Sequence, residues 1–431
     1  MKGKEIDLDD KPLIYVPPKK RTFFFILLYC LFMIDFISRV GINAIFPIIQ
    51  GDLGLTDTEV GLMGSVVLLG MGALVLPISF LGEKYSPKKA ISISALIWSI
   101  GTFFSGMAGS FNLLIASRFL VGTGNAAYAP LSNSVITSMY SKSVWGKRIG
   151  LYNTAMTVGT ALGAIVFANL ANTFGWRMAF YTVGVISLIL TIASLSLPDP
   201  KKVLDQQKKE KHETSNEKAK VGLKEALQVT LKNKALIGVC VGGGFASIVV
   251  QGTGSWLSIY FVREMNISIG IAATFISIKS LISALGYPIG GTIMDKWYKY
   301  DKRCRVYWPA ISLTIAVLSY GFGFYFKIVP LIFFGAIFIT AAVTCYHVAT
   351  QELVPSWFKS VSYGVYVLTV QLLGAAGPIL IGMLSEIFGL KSALTLIQIL
   401  LVVAIVIFLL TSRVYLKDFN KARKLEEEAR A

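Results

Sequence analysis

The sequence predicts an all-α integral membrane protein with twelve transmembrane helices in two pseudo-symmetric six-helix bundles. Three observations support this fold class. The chain is 54% hydrophobic and only 15% charged, whereas soluble domains carry roughly 25% charged residues. Twelve apolar stretches are long enough to span a bilayer, which takes about 20 residues. One strongly polar segment, residues 198–233, divides these stretches into two groups of six.

The predicted spans, numbered 1 to 12 in chain order, set the domain boundaries. They are residues 22–48, 59–81, 89–109, 111–138, 148–174, 178–197, 234–261, 267–294, 306–326, 328–352, 361–386 and 391–413. The predicted domains are an N-terminal tail (1–21), a first bundle (22–197), a linker (198–233), a second bundle (234–413) and a C-terminal tail (414–431).

The distribution of Lys and Arg predicts the orientation, because cytoplasmic loops of membrane proteins carry an excess of these residues. With a cytoplasmic N-terminus, 34 of the 41 Lys and Arg residues lie on the cytoplasmic side and four on the other side. The remaining three lie within predicted spans. We therefore expect a multi-pass protein of the cell (inner or plasma) membrane with both termini and the linker in the cytoplasm. The net charge of +17 fits this loop pattern better than it fits nucleic-acid binding.

Several other functional classes receive no support from the sequence. The four cysteines are scattered and form no CxxC pair, so no disulfide or metal framework is indicated. There is no phosphate-binding loop of the GxxxxGK[ST] type, which argues against direct ATP use. No nucleophile–base cluster points to an enzyme, and no cofactor is expected. The first twenty or so residues are polar, so we expect the first apolar run to act as a start-transfer helix rather than as a cleaved signal peptide.

A short motif recurs at the ends of spans 2 and 8. The first copy is Ser79-Phe-Leu-Gly-Glu83-Lys84-Tyr, and the second is Gly291-Thr-Ile-Met-Asp295-Lys296-Trp. Because both copies precede basic clusters at matching places, the two halves are predicted to be structural repeats. The acids and bases are predicted to pair at a cytoplasmic gate; anchoring by basic residues alone is the alternative. The predicted gate residues are Glu83, Lys84, Asp295, Lys296, Arg148 and Glu352.

Further motifs resemble those of the major facilitator superfamily along nearly the whole chain. Span 4 contains Arg118-Phe-Leu-Val-Gly122-Thr-Gly124, which is similar to the superfamily's Arg-x-x-x-Gly-x-Gly motif. Gly175-Trp176-Arg177 before span 6 also matches. The resemblance implies a secondary transporter that works by alternating access, with spans 1, 4, 7 and 10 lining a central cavity.

Within the superfamily, the chain most resembles the organic anion:cation symporters, with spinster-type lipid transporters as a second relative. The similarity is carried by the segment from Arg39-Val-Gly-Ile-Asn43 to Glu59-Val-Gly61 and by Trp256-Leu-Ser-Ile-Tyr260. The chain departs from the symporter pattern at three positions. Ser38 stands where an Asp usually precedes the Arg, Asn125 stands where Glu is usual, and Met71 stands where an aromatic residue is usual. The resemblance therefore implies an arginine-centred anion site without the customary proton carriers.

Four charged residues lie at membrane depth, away from the ends of the predicted spans: Asp35, Arg39, Arg118 and Lys279. Charged groups at membrane depth are costly, and they usually face a cavity or a partner. The excess of two positive charges predicts an anionic substrate bound by Arg39 and Lys279, with Arg118 assisting. Two alternatives remain open: Asp35 and Arg39, at i and i+4, can neutralise each other, and Arg118 can bond helix-end carbonyls in a structural role.

Polar and aromatic residues on the remaining cavity-lining spans complete the predicted site. Coupling is assigned to Asp35 or His347, since a histidine titrates near neutral pH; a polar lining role is the alternative for His347. The residues predicted to assist substrate binding are Asn43, Asn125, Gln251, Trp256 and Tyr260.

The predicted function is secondary transport of a small, carboxylate-type organic anion by a monomer. Ion symport with H+ or Na+, exchange and uniport are all compatible with the sequence. The competing interpretation is a drug or lysolipid exporter of the same fold that works by H+ antiport. The lack of a Gly-Pro motif in span 5 and the positive intramembrane charge disfavour cationic drugs.

Overall fold

The computed structural model describes residues 12–126, 128–141, 144–200, 230–355 and 358–428; the side chains of residues 76–85 and of residue 360 lie outside this description. The described residues form helices, turns and short connections and contain no β-strand. Ten helical segments are long and apolar enough to cross a membrane. This confirms an all-α membrane protein, while the predicted number of twelve spans and their arrangement in two bundles stay predictions.

Helices α1 to α8 precede the predicted linker, and a 3-10 turn, Gly41–Ile45, joins α1 to α2. The eight helices are α1 (Pro18–Val40), α2 (Phe46–Leu53), α3 (Asp57–Tyr85), α4 (Pro87–Gly106), α5 (Phe111–Asn125), α6 (Tyr128–Met139), α7 (Trp145–Phe174) and α8 (Trp176–Ser194).

Helices α9 to α17 follow the predicted linker. They are α9 (Lys234–Met265), α10 (Ile269–Ala284), α11 (Gly286–Tyr298), α12 (Cys304–Tyr325), α13 (Val329–Glu352), α14 (Lys359–Gly374), α15 (Ala376–Phe388), α16 (Leu390–Leu396) and α17 (Ile399–Glu428). The last helix runs without a break from predicted span 12 into the predicted C-terminal tail.

Predicted spans 3 and 4 are helical but fall outside the ten apolar segments: span 3 is rich in small polar residues, and the two described helices of span 4 are each too short to be counted. Span 3 corresponds to α4, and span 4 is divided into α5 and α6. The hydroxyl groups of α4 are satisfied inside the protein: Ser92 bonds Ser194 at 2.8 Å, Ser99 bonds Thr191 at 3.2 Å, and Ser105 bonds a serine of α5 at 2.9 Å. Such bonds keep polar groups out of lipid.

The described chain divides into two compact units. The first unit comprises residues 1–42 and 70–218, and the second comprises 43–69 and 219–431. The inclusion of residues 43–69 in the second unit has a physical basis, since Gly61 of α3 packs against the backbone of Pro378 in α15. An ideal Cβ atom at Gly61 would lie only 2.5 Å from the Pro378 carbonyl oxygen. The side-chain oxygen of Ser258 in α9 also donates a 2.7 Å hydrogen bond to the Ala44 carbonyl.

Candidate functional site

Arg39, in the last turn of α1, makes only weak contacts with the residues that the structure describes. Its Nη1 atom lies 3.2 Å from the sulfur of Met71, and its guanidinium lies 4.2 Å from the ring centroid of Phe36. Its Nη2 atom is 3.8 Å from Oδ2 of Asp35, which is too long for a direct hydrogen bond. The Nε atom is buried without a hydrogen-bond partner. The side chain, 14% exposed, therefore retains donors for an incoming anion.

Arg118, on α5, is fully buried and bonds backbone carbonyls at the end of α1. Its Nη1 and Nη2 atoms donate 3.1 Å hydrogen bonds to the carbonyl oxygens of Ser38 and Arg39. The last carbonyls of a helix have no partner within the helix, so these bonds satisfy groups that would otherwise be unpaired. This geometry favours the structural alternative for Arg118 over direct contact with substrate. Arg118 nevertheless fixes the backbone that presents Arg39.

Two further predicted site residues of the first unit are buried with unpaired polar atoms. Asp35 is 3% exposed, and its Oδ1 atom has no hydrogen-bond partner. Asn125, the last residue of α5, is 5% exposed, and neither amide atom has a partner. The structure thus brings Asp35, Arg39 and Arg118 together, since both arginines interact electrostatically with the carboxylate.

Lys279, on α10 of the second unit, is the clearest isolated charge of the described spans. Its side chain is half-buried, and no carboxylate or hydrogen-bond acceptor among the described residues pairs with its ammonium group. The hydroxyl of nearby Ser277 bonds the Ala273 carbonyl of its own helix at 2.9 Å. An unpaired ammonium group at membrane depth is costly, and it is relieved by an anion.

The predicted aromatic ligands of α9 serve in packing. Trp256 is 1% exposed, and its indole nitrogen donates a 2.9 Å hydrogen bond to the Pro378 carbonyl. Tyr260 is fully buried, and its hydroxyl donates a 2.9 Å hydrogen bond to the Phe324 carbonyl. Both side chains are therefore engaged with the protein, which argues against direct contact with substrate. Gln251 on the same helix is half-buried.

His347, on α13, lies in an aromatic cluster of the second unit. Its ring centroid is 5.4 Å from those of Tyr363 and Tyr366, with edge-to-face geometry in both cases. No carboxylate among the described residues bonds the imidazole. This setting favours a lining role over a proton relay. Asn43, in the 3-10 turn after α1, is half-buried.

The predicted gate residues of the second unit fall into two groups. Glu352, at the end of α13, forms a two-point ion pair with Arg305: Nη2 to Oε1 is 2.7 Å, and Nε to Oε2 is 3.0 Å. Asp295 and Lys296, at the end of α11, are exposed, and no ion pair within the described residues includes them. Glu352 therefore pairs with a basic residue of its own unit, and its part in a gate stays a prediction.

The predicted gate residues of the first unit are less completely described. The side chains of Glu83 and Lys84 lie outside the described residues. Arg148, near the start of α7, places its guanidinium 4.6 Å from the ring of Tyr140 and 5.7 Å from that of Phe25. Whether these residues close a gate stays a prediction.

The loop between α11 and α12 carries a second acid–base pair. Nε of Arg303 lies 3.0 Å from Oδ2 of Asp301. Burial raises the pKa of the Asp301 carboxyl, but the hydrogen bonds from Arg303 outweigh burial and lower it overall. Asp301 is therefore ionised at neutral pH, and it offsets one of the positive charges of this basic loop.

One polar network of the second unit was missed by the sequence analysis. Asp57, at the start of α3, forms a two-point ion pair with Arg263 of α9, at 2.7 and 2.8 Å. Gln50 donates to Asp57 at 2.7 Å and accepts from Arg263 at 3.0 Å, and the hydroxyl of Ser385 donates to Asp57 at 2.6 Å. Thr58 donates its backbone N–H to Glu386. We call Gln50, Asp57, Arg263 and Ser385 the Asp57 network.

The sequence gave only a faint signal for this network. Arg263 is one of the four basic residues predicted on the side opposite the cytoplasm. An exposed arginine is well solvated and needs no acidic partner, so its presence alone did not indicate an ion pair. Its partner lies 206 residues away in the sequence, beyond the reach of a local pattern.

Known proteins similar to this chain are membrane transporters. The profile of the Major Facilitator Superfamily matches residues 28–378. The probable sulfoacetate transporter SauU of Cupriavidus necator is 26% identical over 285 residues, covering 64% of this chain and 65% of that protein. The sphingosine-1-phosphate transporter SPNS2 of Xenopus tropicalis is 24% identical over 439 residues, covering 91% of this chain and 82% of that protein.

A solved structure supports the same fold. It is the crystal structure of a bacterial homologue of the human lysosomal transporter spinster, in an inward-facing and unoccupied conformation. Its TM-score is 0.81 at 21% identity, and the match covers 94% of this chain and 99% of that one. The profile covers most of the chain and the fold agrees, so this multi-pass membrane protein, which is a transporter and not an enzyme, belongs to the major facilitator superfamily.

Proposed function

We propose that this transporter carries a small organic anion of the carboxylate type across the membrane by alternating access. The proposal rests on two positively charged side chains at membrane depth that lack strong partners. Arg39 has only long or weak contacts, and Lys279 has no acidic partner among the described residues. Both charges gain a partner when an anion binds, and their desolvation cost then falls.

In this proposal, Arg39 and Lys279 bind the anionic group directly. A guanidinium presents a planar set of donors that suits carboxylates and sulfonates, whereas an ammonium acts as a compact charge. Asn43, Asn125 and Gln251 supply further hydrogen bonds, and Arg118 keeps the end of α1 in place. Relatives bear names that mention sulfoacetate, galactarate or D-glucarate, and hexuronate, and these compounds are small organic anions.

Asp35 is the proposed coupling residue for symport with H+. While it is ionised, it competes with substrate for Arg39 at 3.8 Å. Protonation removes that competition and leaves Arg39 free for the anion, so proton and anion bind together. Exchange and uniport are the other modes compatible with these residues.

Uptake of radiolabelled anions into liposomes containing the full-length protein tests the proposal. Carboxylates and sulfonates that raise the thermal stability of the purified protein supply the candidates, because a ligand that binds the native state stabilises it. We expect Arg39→Ala and Lys279→Ala each to reduce uptake at least tenfold while the protein remains folded. Lys417→Ala, which removes an exposed lysine of α17, is the matched control. Normal uptake by both site variants would exclude the anion site.

A lysolipid exporter is the second candidate, favoured by the similarity to spinster-type transporters over most of the chain. A lysolipid has an anionic head group that would also suit Arg39 and Lys279. Stabilisation by lysophospholipids and not by short carboxylates or sulfonates would favour this candidate.

A further inference from the structure

A group of hydroxyls beside Asp35 is buried without hydrogen bonds of normal geometry. The hydroxyls of Ser132 on α6 and Tyr152 on α7 are fully buried, and neither makes a hydrogen bond of normal geometry within the described residues, although they lie close enough to interact with each other and with the Tyr128 hydroxyl. No described residue bonds the Oδ1 atom of Asp35. Leaving a buried polar group without a hydrogen bond destabilises the folded protein. Hydroxyls that bond one another only weakly, next to a carboxylate oxygen without a partner, leave hydrogen-bonding capacity for a further polar group.

The packing of Phe32 locates these groups next to one another. Phe32 lies one turn before Asp35 on α1, on the same face of the helix. Its ring stacks on Tyr152, with centroids 4.7 Å apart, and on Tyr128 at 6.0 Å. Ser132 follows Tyr128 by one turn of α6, and its hydroxyl lies beside the hydroxyls of both tyrosines. Both tyrosines interact electrostatically with Asp35.

Tyr128 differs from the other members because its hydroxyl donates a 3.0 Å hydrogen bond to the Leu28 carbonyl. It can still accept a hydrogen bond, as a hydroxyl does both. The site therefore offers one carboxylate oxygen from α1, two hydroxyls from α6 and one hydroxyl from α7. We call Asp35, Tyr128, Ser132 and Tyr152 the hydroxyl pocket.

The charges around the pocket decide what it holds. Arg39 on α1 and Arg118 on α5 both interact electrostatically with Asp35. Among the described residues, the titratable or charged groups that interact with Asp35 are these two arginines together with Tyr128 and Tyr152. Two positive charges beside one carboxylate disfavour a metal cation. Water is neutral, and a buried water typically makes about three hydrogen bonds to otherwise unsatisfied groups.

We propose that the hydroxyl pocket holds internal water molecules through which Asp35 takes up and releases its proton. The hydrated proton gives up one O–H bond as a new O–H bond forms at Oδ1 of Asp35, and neutral water remains in the pocket. Ser132 and Tyr152 act as positioning residues, because they hold the water rather than the proton. The inference rests on the proposed role of Asp35 in coupling, and it adds a defined proton path.

Infrared spectroscopy of the purified full-length protein during a pH titration tests the pocket without a known substrate. A protonated carboxyl group gives its own carbonyl band. The band that is present in the unmodified protein and absent in Asp35→Asn is assigned to Asp35. We expect Tyr152→Phe and Ser132→Ala each to shift the midpoint of this band to higher pH, because the carboxylate loses hydrogen-bonded support. Ser132→Ala decides the matter if Tyr152→Phe does not fold.

Matched controls remove hydroxyls that already have partners. Ser138→Ala removes a buried hydroxyl of the same helix that bonds the Val135 carbonyl, and Tyr29→Phe removes one on α1 that bonds Thr154. Neither control should move the midpoint. An unchanged midpoint in Ser132→Ala, or the absence of any band that depends on Asp35, would overturn the proposal. A midpoint that depends on Na+ at constant ionic strength would overturn it too, because the pocket would then hold a cation.

These outcomes are independent of the anion proposal. If the midpoint shifts but no organic anion is transported, the pocket stands and the substrate assignment fails. If anion uptake depends on Arg39 and Lys279 while the midpoint stays fixed, the substrate assignment stands and the pocket fails.

Discussion

Two arginines on neighbouring helices of the first unit have the same charge but different surroundings. Arg118 is fully buried and donates two good hydrogen bonds to backbone carbonyls of α1. Arg39 has a distant carboxylate, a sulfur atom and an aromatic face. In both side chains Nε has no partner among the described residues, but Arg118 uses its two terminal nitrogens to support the fold, whereas those of Arg39 have no strong acceptor and are available to a ligand.

This contrast predicts opposite effects for the two alanine variants. Arg118→Ala should lower the free energy of unfolding by about 3 kcal/mol or more, because each lost charged hydrogen bond is worth about 1.5–3 kcal/mol. Arg39→Ala should cost much less, since an aromatic contact of this kind is worth about 0.5–2 kcal/mol. Thermal unfolding of both variants in the same detergent measures the difference. Equal losses would mean that Arg39 is also structural.

The residue scale also shows the limit of sequence reasoning. The membrane depth of Asp35, Arg39 and Lys279 follows from counting along apolar stretches. The hydrogen bonds from Arg118 to the carbonyls of Ser38 and Arg39 cannot be predicted in this way, because every residue has a backbone carbonyl and the sequence does not show which ones accept a bond. The buried hydroxyls of Ser132 and Tyr152 were likewise invisible, since serine and tyrosine are ordinary residues in a membrane helix.

At the scale of single elements, glycines set how closely helices approach. Glycine in a membrane helix allows either close packing or bending. Helices α1 and α7 touch at Gly159, where an ideal Cβ atom would lie 2.5 Å from the Met33 carbonyl oxygen. Helix α11 touches α13 at Gly290, where a Cβ atom would collide with the Ala341 carbonyl oxygen. These contacts support close packing of the kind that small residues allow in membranes.

Two adjacent glycines of α11 provide a matched test. A Cβ atom at Gly291 would meet nothing within 4 Å, in contrast to Gly290. Gly290→Ala should destabilise the protein by about 1–3 kcal/mol through overpacking. Gly291→Ala should be neutral or stabilising by up to about 1 kcal/mol, because alanine favours the helix. Thermal unfolding of both variants checks the contrast, and equal effects would show that the contact with α13 is loose.

The positions of the helices can be predicted from the sequence better than the points at which the helices are broken. The apolar stretches place most of the helices well, because length and hydrophobicity govern insertion. The breaks are harder to predict. Span 8 is divided at Leu285 into α10 and α11, and span 11 at Ala375 into α14 and α15. Both breaks lie beside glycine and proline residues.

At the scale of the whole molecule, the predicted orientation governs every statement about sides of the membrane. It rests on the distribution of 34 and four basic residues. The helical segments and the fold do not determine on which side of the membrane the termini lie. Translocation is sensitive to positive charge near the ends of spans, so the strong bias makes a firm prediction.

Cysteine labelling from each side tests this orientation. Tyr300, in the loop between α11 and α12, is 89% exposed, and Phe326, after α12, is 59% exposed. In intact cells, a membrane-impermeant thiol reagent should label Phe326→Cys but not Tyr300→Cys. Both should react after the membrane is permeabilised. The reverse pattern in intact cells would invert the topology, including the proposed cytoplasmic gate.

The Asp57 network has a consequence for how the protein is made. Residues 43–69 emerge early in synthesis, but they are held by Arg263 and Ser385, which emerge some two hundred and three hundred residues later. The N-terminal half of α3 must therefore wait in the membrane until α9 and α15 have been inserted. During that interval Asp57 lacks Arg263 and Ser385, and Gly61 lacks the surface of α15 on which it packs. Assembly of this transporter thus ends with a contact made by one of its first segments.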